Sequence, residues 1–525
     1  MGVALSNRRR VEWPDSAGDA RRAGPTIASV ALVLALILVA AAMLAPGLVL
    51  GPSLDAAVFN DVGSRLLHGV TPYIGTWDHK PPGIYLLVAG AQAALGWLGP
   101  WNAVWLLSLA VSVGIGISIA ASLTRLGVTG WPRSLAAIGC SIFASHYLLA
   151  LGGGLTEPPA ALLAGVALVL ALRPGGAVRL GAIGLLVGLS ALVSVQLLPG
   201  GLVVLGLALV RRPPAGRAMG AALLALGFGA PLAAVGIWLI AIGAMPAALD
   251  AIVTYSTAYR SSGSEYGAML AASLAAWTIL TSMFLVAPAL LGALTTWSRN
   301  PHRRGVLVAA LLWIAATLVF VLAQGRFYAH YAIAMAVPIG LLAGVGLEQV
   351  GTSLGRARRP FSRGVVVLPL LLTLTISVAA GVVSATLQIA LVADGSARTE
   401  AVSQRLHALP SGTLLVWGNE PRLYTLAERT PATRYSYLYP LTTPGYSSAE
   451  QIDTVLRTLE DHPPAVVVDV GSTAPGQPGY LPLLIDRPIA SEGRDLDLLG
   501  PLRAFVAAHY RLDEIVSGWP IYVLR

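Results

Sequence analysis

The sequence predicts a polytopic α-helical membrane protein that carries a small α/β domain at its C-terminal end. Three observations predict it. Of 525 residues, 56% are hydrophobic and only 11% are charged, with a mean hydropathy of +0.73. A soluble domain carries about 25% charged residues, and one core cannot hide so much apolar surface from water. Apolar runs of helical length recur from residue 27 to residue 391. From Asp394 onward the chain holds 15 acids and 11 arginines, and short β-branched runs stand between helical stretches.

Residues 1–26 form an Arg-rich tail (Arg8, Arg9, Arg10, Arg21 and Arg22) that reads as cytoplasmic. The apolar run after it lacks a small-residue cleavage site, so it reads as a retained span and not a cleaved signal. Spans are expected at 27–50, 103–122, 134–151, 159–172, 180–195, 197–210, 219–243, 268–295, 306–323, 331–349 and 364–391, about 11–13 helices with softer candidates. The loops orient them. With the tail inside, the inner segments before residue 393 carry nineteen arginines, and the outer ones only Arg65, Lys80, Arg260 and Arg326. This is the positive-inside bias, and it places the chain in the plasma (inner) membrane as a multi-pass protein. The net charge of +9 therefore has a membrane explanation and argues for no nucleic-acid partner.

The run 83–98 is apolar but short. A crossing there would turn the Arg-rich loops outward, so it is expected as an interfacial or re-entrant helix on the outer side. Residues 27–392 then form the membrane domain, with a first outer loop at 51–102. Residues 393–525 form an extracytoplasmic α/β domain, with strands expected at 413–417, 465–470 and 521–525 and helices at 449–461 and 500–509. Cys140 is the single cysteine, which excludes an intrachain disulfide.

Polar residues at the edge of the hydrocarbon carry the chemistry of a membrane protein. Asp55 lies in an amphipathic stretch just past the first span; Glu157 follows Gly152–Gly154 and precedes Pro158 and Pro159. Both fall on the outer side. Each has a plain alternative as a helix-capping residue. Together they are what proton transfer from an acceptor hydroxyl needs, one as base and one to assist. The 34 basic residues are all arginine except Lys80, in WDHKPPGIYLL. An ammonium is a compact charge suited to phosphate, although a lysine here would also snorkel to lipid headgroups. Arg326 and His330 are four apart, share a face if helical, and could clamp a phosphate; Tyr331 beside them also suits an aromatic belt. Gln196 either lines the same cavity or bonds a neighbouring backbone.

The order Asp55, Phe59, Arg65 and Gly69, then Pro72–Tyr73, Trp77–Asp78–His79–Lys80–Pro81–Pro82, Thr156–Glu157–Pro158 and Arg326…His330–Tyr331 resembles a known family. It is similar to the GT-C glycosyltransferases of the protein O-mannosyltransferase and aminoarabinose-lipid-A transferase type. The resemblance covers about residues 27–350. It implies a GT-C-type membrane domain and transfer of a sugar from a polyprenyl-phosphate donor to a lipid, protein or glycan acceptor at the outer face. It implies Asp55 and Glu157 as the catalytic acids and Lys80, with Arg326 and His330, as donor-phosphate ligands. Arg65, Tyr73, Asp78, His79, Gln196 and Tyr331 are expected to bind substrate. Ala56 and Ala57 stand where many members have polar residues beside the first acid, so no metal pair is expected there and no cofactor is required, a divalent metal being the alternative. Asn102 and Gln196 replace basic residues of relatives. A lipid or polysaccharide transporter, a membrane acyltransferase, a polymer ligase and a non-catalytic scaffold are the competing classes. A transporter is disfavoured because polar groups gather at one surface and no internal repeat is found.

Overall fold

The computed structural model describes residues 27–173, 175–261, 279, 282–299, 301–325, 328–356, 360–472, 483 and 497–525. Its longer helices are α1 (Ile27–Leu44), α2 (Leu54–Leu67), α3 (Gly83–Leu95), α4 (Pro100–Arg125), α5 (Gly130–Ser145), α6 (Glu157–Ala171), α7 (Ala177–Val193), α8 (Leu198–Val210), α9 (Arg217–Ala241), α10 (Met283–Arg299), α11 (Pro301–Gln324), α12 (Ala336–Arg356), α13 (Pro360–His407), α14 (Ala449–Asp461) and α15 (Gly500–His509). Among the described residues, five helical stretches are long and apolar enough to cross a membrane, and five shorter apolar helices accompany them. The chain is a multi-pass membrane protein with the expected α-helical architecture. The first half of the expected span 268–295 lies outside the described residues.

The membrane helices pack through small residues. A Cβ on Gly184 or Gly227 would collide with backbone carbonyls where α7 crosses α9, and one on Gly292 or Gly346 would collide where α10 crosses α12. Lipid tails are as apolar as leucine, so close backbone approach has to supply the attraction between helices.

The short run 83–98 forms α3 and a terminal turn, Gly96–Leu98. It lies antiparallel on α2: Gln92 donates to Asn60 Oδ1 at 2.7 Å, and Gly63 sits against Val88. Helix α2 is buried on most of its surface from Ala56 to Gly63, because α3 covers one side and the C-terminal domain reaches it through Ser436, whose hydroxyl donates to Asp61 at 2.6 Å.

The C-terminal domain holds a four-stranded sheet of β1 (Leu414–Trp417), β2 (Val466–Asp469), β3 (Tyr510–Val516) and β4 (Trp519–Leu524), in the order β1-β2-β4-β3. Strands β1 and β2 are parallel, joined through α14; the β2–β4 and β3–β4 pairs are antiparallel. Central β2 is buried at every position. Helix α14 opens on a capping box between Ser448 and Gln451. Helix α13 runs unbroken through the boundary expected at 392/393, and its last turns deliver Val402 and Leu406 into the core under the sheet. The domain is thus a continuation of the last membrane helix, without a linker.

Candidate functional site

Asp55 and Glu157 sit in first turns of helices, and neither caps its helix by side chain. Ser53 is the N-cap of α2 and accepts from Ala56 N–H at 3.3 Å; Asp55 follows in the first turn, exposed. Helix α6 begins at Glu157 with Pro158 in its first turn, and Thr156 at the N-cap makes no side-chain cap bond. Instead Thr156 Oγ1 donates to Glu157 Oε1 at 2.9 Å. Glu157 is only 1% exposed. Gly152, Gly153 and Gly154 all have positive φ (85°, 113° and 79°), a path open to glycine and strained for other residues. That path folds the chain onto Gly47 and Ser108 and delivers Glu157 to the site. Ser194 Oγ lies 3.4 Å from Thr156 Oγ1 and donates to Gln196 Oε1 at 2.7 Å. Gln196 is therefore joined to Glu157 through two hydroxyls.

Lys80 lies in the tight loop between α2 and α3. Tyr73 has φ 64°, rare for a bulky residue, and its hydroxyl donates to the Lys80 carbonyl at 2.8 Å. Lys80 N–H donates to Tyr85 Oη at 3.2 Å. Tyr85 in turn donates to Asp78 Oδ2 at 2.7 Å, and Tyr437 donates to Asp78 Oδ1 at 2.7 Å. Burial works against the Lys80 charge, but Tyr331, Asp55, Glu157 and Asp78 outweigh it and hold the ammonium above the ordinary lysine range. Among the described residues no carboxylate lies within 4.0 Å of the Lys80 ammonium. Among the described residues several acids act on this charge and none pairs with it.

Asp78 is held well below the usual carboxylate range. Its burial would raise it, but the His79 ring and the donors His79, Tyr85 and Tyr437 outweigh that. His79 Nδ1 is 3.2 Å from Asp78 Oδ1, and its ring lies against Tyr255 and Tyr259 at 5.2 and 6.0 Å between centroids. Arg65 donates to the Gly75 carbonyl and lies 3.7 Å from Asp61, bracing the same loop.

Tyr331 is buried, at 6% exposure, and is electrostatically coupled to Lys80. His330 stacks on Tyr328 at 5.4 Å and 7° and meets Tyr331 edge-on at 4.8 Å. Tyr328 is extended (φ −79°, ψ 138°), and a 3-10 helix, Ala329–Met335, starts after it. His330 lies in that 3-10 helix; Arg326, and with it the helical face expected of the pair, lies outside the described residues.

The structure thus gathers Asp55, Glu157, Lys80 and Tyr331 in one field, links Gln196 to Glu157, and places Tyr73, Asp78 and Arg65 in the scaffold of the Lys80 loop. Sequence reasoning missed Tyr85, Tyr437, Tyr255 and the Asp250–Tyr446 bond at 2.6 Å. The available signal was RYSYLYP, 434–440, with tyrosines at alternate positions, the spacing of side chains that share one face of an extended segment. Among the described residues no group of three or more His, Cys, Asp or Glu could hold a metal ion.

The fold is shared with ArnT from Cupriavidus metallidurans. The structure of that protein bound to undecaprenyl phosphate matches with a TM-score of 0.55 at 14% identity, over 94% of this chain and 97% of that chain. Its apo structure matches with a TM-score of 0.52 at 14% identity over the same shares. The GT-C-type fold expected from the sequence is the fold observed. No protein-family model matches the sequence, and no curated protein matches it in sequence comparison.

Proposed function

We propose that the chain is a membrane glycosyltransferase that moves a sugar from a polyprenyl-phosphate-linked donor to a hydroxyl of a lipid, protein or glycan acceptor. The reaction takes place at the outer face of the plasma membrane, with the N-terminus cytoplasmic and the C-terminal domain outside. One observation carries the reading: the Lys80 ammonium feels the carboxylates of Asp55, Glu157 and Asp78 and lies within 4.0 Å of none of them. The fold supports it, since ArnT was solved with undecaprenyl phosphate.

Asp55, exposed at the head of α2, takes the proton of the acceptor hydroxyl. The acceptor oxygen bonds to the sugar C1 as the bond from C1 to the phosphate oxygen breaks. The electron pair leaves with the polyprenyl phosphate, whose added charge falls on Lys80; help of this kind to a leaving group lowers a barrier. Glu157, buried and held by Thr156, keeps the field of the site fixed and assists the proton transfer. His330 and Tyr331 close the phosphate side.

The test gives purified protein a radiolabelled polyprenyl-phosphate sugar and a membrane extract as acceptor, with and without EDTA. Label is expected in a new product with wild type. Loss of Lys80 should cost on the order of 3 kcal/mol, or about 10²-fold in rate; Asp55→Asn should abolish transfer, Lys80→Arg should not restore it, and EDTA should not stop it. Transfer that survives Asp55→Asn and Lys80→Ala would sink this assignment of residues. Transfer lost to EDTA and restored by Mg²⁺ or Mn²⁺ would overturn its metal independence.

A further inference from the structure

The C-terminal domain enters the Lys80 loop at one point of chemical consequence. Its segment 434–437 lies along the loop: Trp77 N–H donates to the Arg434 carbonyl at 2.8 Å, and Trp77 bridges to Tyr435. This pairing presents Tyr437 to Asp78. The carboxylate of Asp78 then has a hydroxyl donor on each oxygen, Tyr437 on Oδ1 and Tyr85 on Oδ2, both at 2.7 Å. Asp78, Tyr85 and Tyr437 are all buried, at 3%, 1% and 6% exposure.

Asp78 stands two residues before Lys80, and Tyr85 Oη ties the two together, donating to Asp78 Oδ2 at 2.7 Å and accepting from Lys80 N–H at 3.2 Å. A buried carboxylate that loses a donor seeks another partner, because an unpaired buried charge is expensive. His79 Nδ1 already lies 3.2 Å from Asp78 Oδ1, and the nearest group along the loop that always carries a positive charge at neutral pH is Lys80. A direct Asp78–Lys80 pair would use up the charge that a phosphate needs.

We propose that Tyr437 is a positioning residue that keeps Asp78 from pairing with Lys80, so that the C-terminal domain holds the ammonium open for a phosphate monoester. This rests on the reading of Lys80 as a phosphate ligand. It gives the domain a part in the site: its tyrosine fixes where the loop's negative charge points. The neighbouring Ser436–Asp61 bond at 2.6 Å anchors the same segment without touching Asp78, and it supplies a control.

Two measurements on the full-length protein test it. The first is binding of undecaprenyl phosphate to wild type, Tyr437→Phe, Asp78→Asn, the double variant and Ser436→Ala. Tyr437→Phe should weaken binding about tenfold or more, the worth of one hydrogen bond to a charged group. In the Asp78→Asn background it should have no further effect, since a neutral amide cannot capture the ammonium. Ser436→Ala should bind as wild type.

The second measurement needs no lipid. Lys80 is the only lysine, so reductive ¹³C-methylation gives one lysine NMR signal beside that of the N-terminal amine. That signal should move in Tyr437→Phe and return toward its wild-type position when Asp78→Asn is added. An unmoved signal, or a loss of binding equally large in the double variant, overturns the proposal. Wild type that binds no undecaprenyl phosphate overturns the functional reading instead, and the Lys80 signal still decides whether Tyr437 governs the ammonium.

Discussion

Replacing Tyr85 with phenylalanine removes one oxygen and leaves a buried carboxylate short of a donor. The hydroxyl has one proton, and the 2.7 Å contact assigns it to Asp78 Oδ2; the same oxygen accepts from Lys80 N–H at 3.2 Å. A hydrogen bond to a charged group is worth about 1.5–3 kcal/mol and a neutral one about 0.5–1.5 kcal/mol. Tyr85→Phe loses one of each and should cost about 2–4 kcal/mol. Tyr73→Phe removes a single neutral bond to the Lys80 carbonyl at 2.8 Å and should cost about 1 kcal/mol. The assay is thermal unfolding of the purified full-length protein in detergent, with transfer rate measured beside it. Tyr85→Phe should melt lower and turn over more slowly than Tyr73→Phe. The gap should shrink when Asp78→Asn is present, because the charged bond is then gone from both sides of the comparison. Equal melts, or a larger loss in Tyr73→Phe, would refute the assignment of the Tyr85 proton to Asp78.

Thr156→Val removes the hydroxyl that donates to buried Glu157 while keeping the side-chain shape. Turnover should fall about tenfold or more with little change in the KM for the donor, since Thr156 bonds Glu157 and Ser194 and not Lys80; steady-state kinetics showing a KM change alone would contradict it. Gly152→Ala forces a left-handed residue, φ 85°, to carry a Cβ that would sit 2.6 Å from Gly47 Cα, and it should cost about 2 kcal/mol or more. Gly206→Ala, at an exposed position of α8 with open space around it, should leave the melting temperature unchanged or raise it, and a Gly152→Ala protein that melts with it would show that the bend before Glu157 is not under constraint.

Elements whose signal is local were legible. Composition located the membrane helices. The β-branched runs at 413–417, 465–470 and 521–525 match β1, β2 and β4, because those strands are buried and read as unbroken apolar stretches. Strand β3 went unpredicted because it is an edge: in YRLDEIV only Tyr510 is fully buried, and charged outward residues hide the period. At the site, Asp55, Lys80 and Glu157 stand out as polar residues beside apolar runs. The scaffold that holds them does not. Asp78 meets Tyr437 across 359 positions and Asp61 meets Ser436 across 375, and no periodicity reports such a pairing. Arg65, Tyr73 and Asp78 were expected to bind substrate from a resemblance of motifs, and a motif cannot tell a ligand from a brace.

The same geometry gives a reason for the single lysine in a chain that otherwise uses arginine. Arginine carries five donors in a planar fork that fits a carboxylate with two parallel bonds. Set among Asp55, Asp78 and Glu157, such a fork would find a bidentate partner and spend its charge there. A lysine ammonium is compact, and its stem lets it stand among the acids without locking onto any one of them. The carboxylates then act on it from a distance: they keep it protonated and leave its donors for an incoming anion. Asp78 is the acid closest to Lys80 in sequence and lies on the same loop. It is also the one whose two oxygens are occupied by tyrosine hydroxyls. The loop and the C-terminal domain therefore solve one problem together, which is how to keep a half-buried cation charged and leave it to an incoming anion.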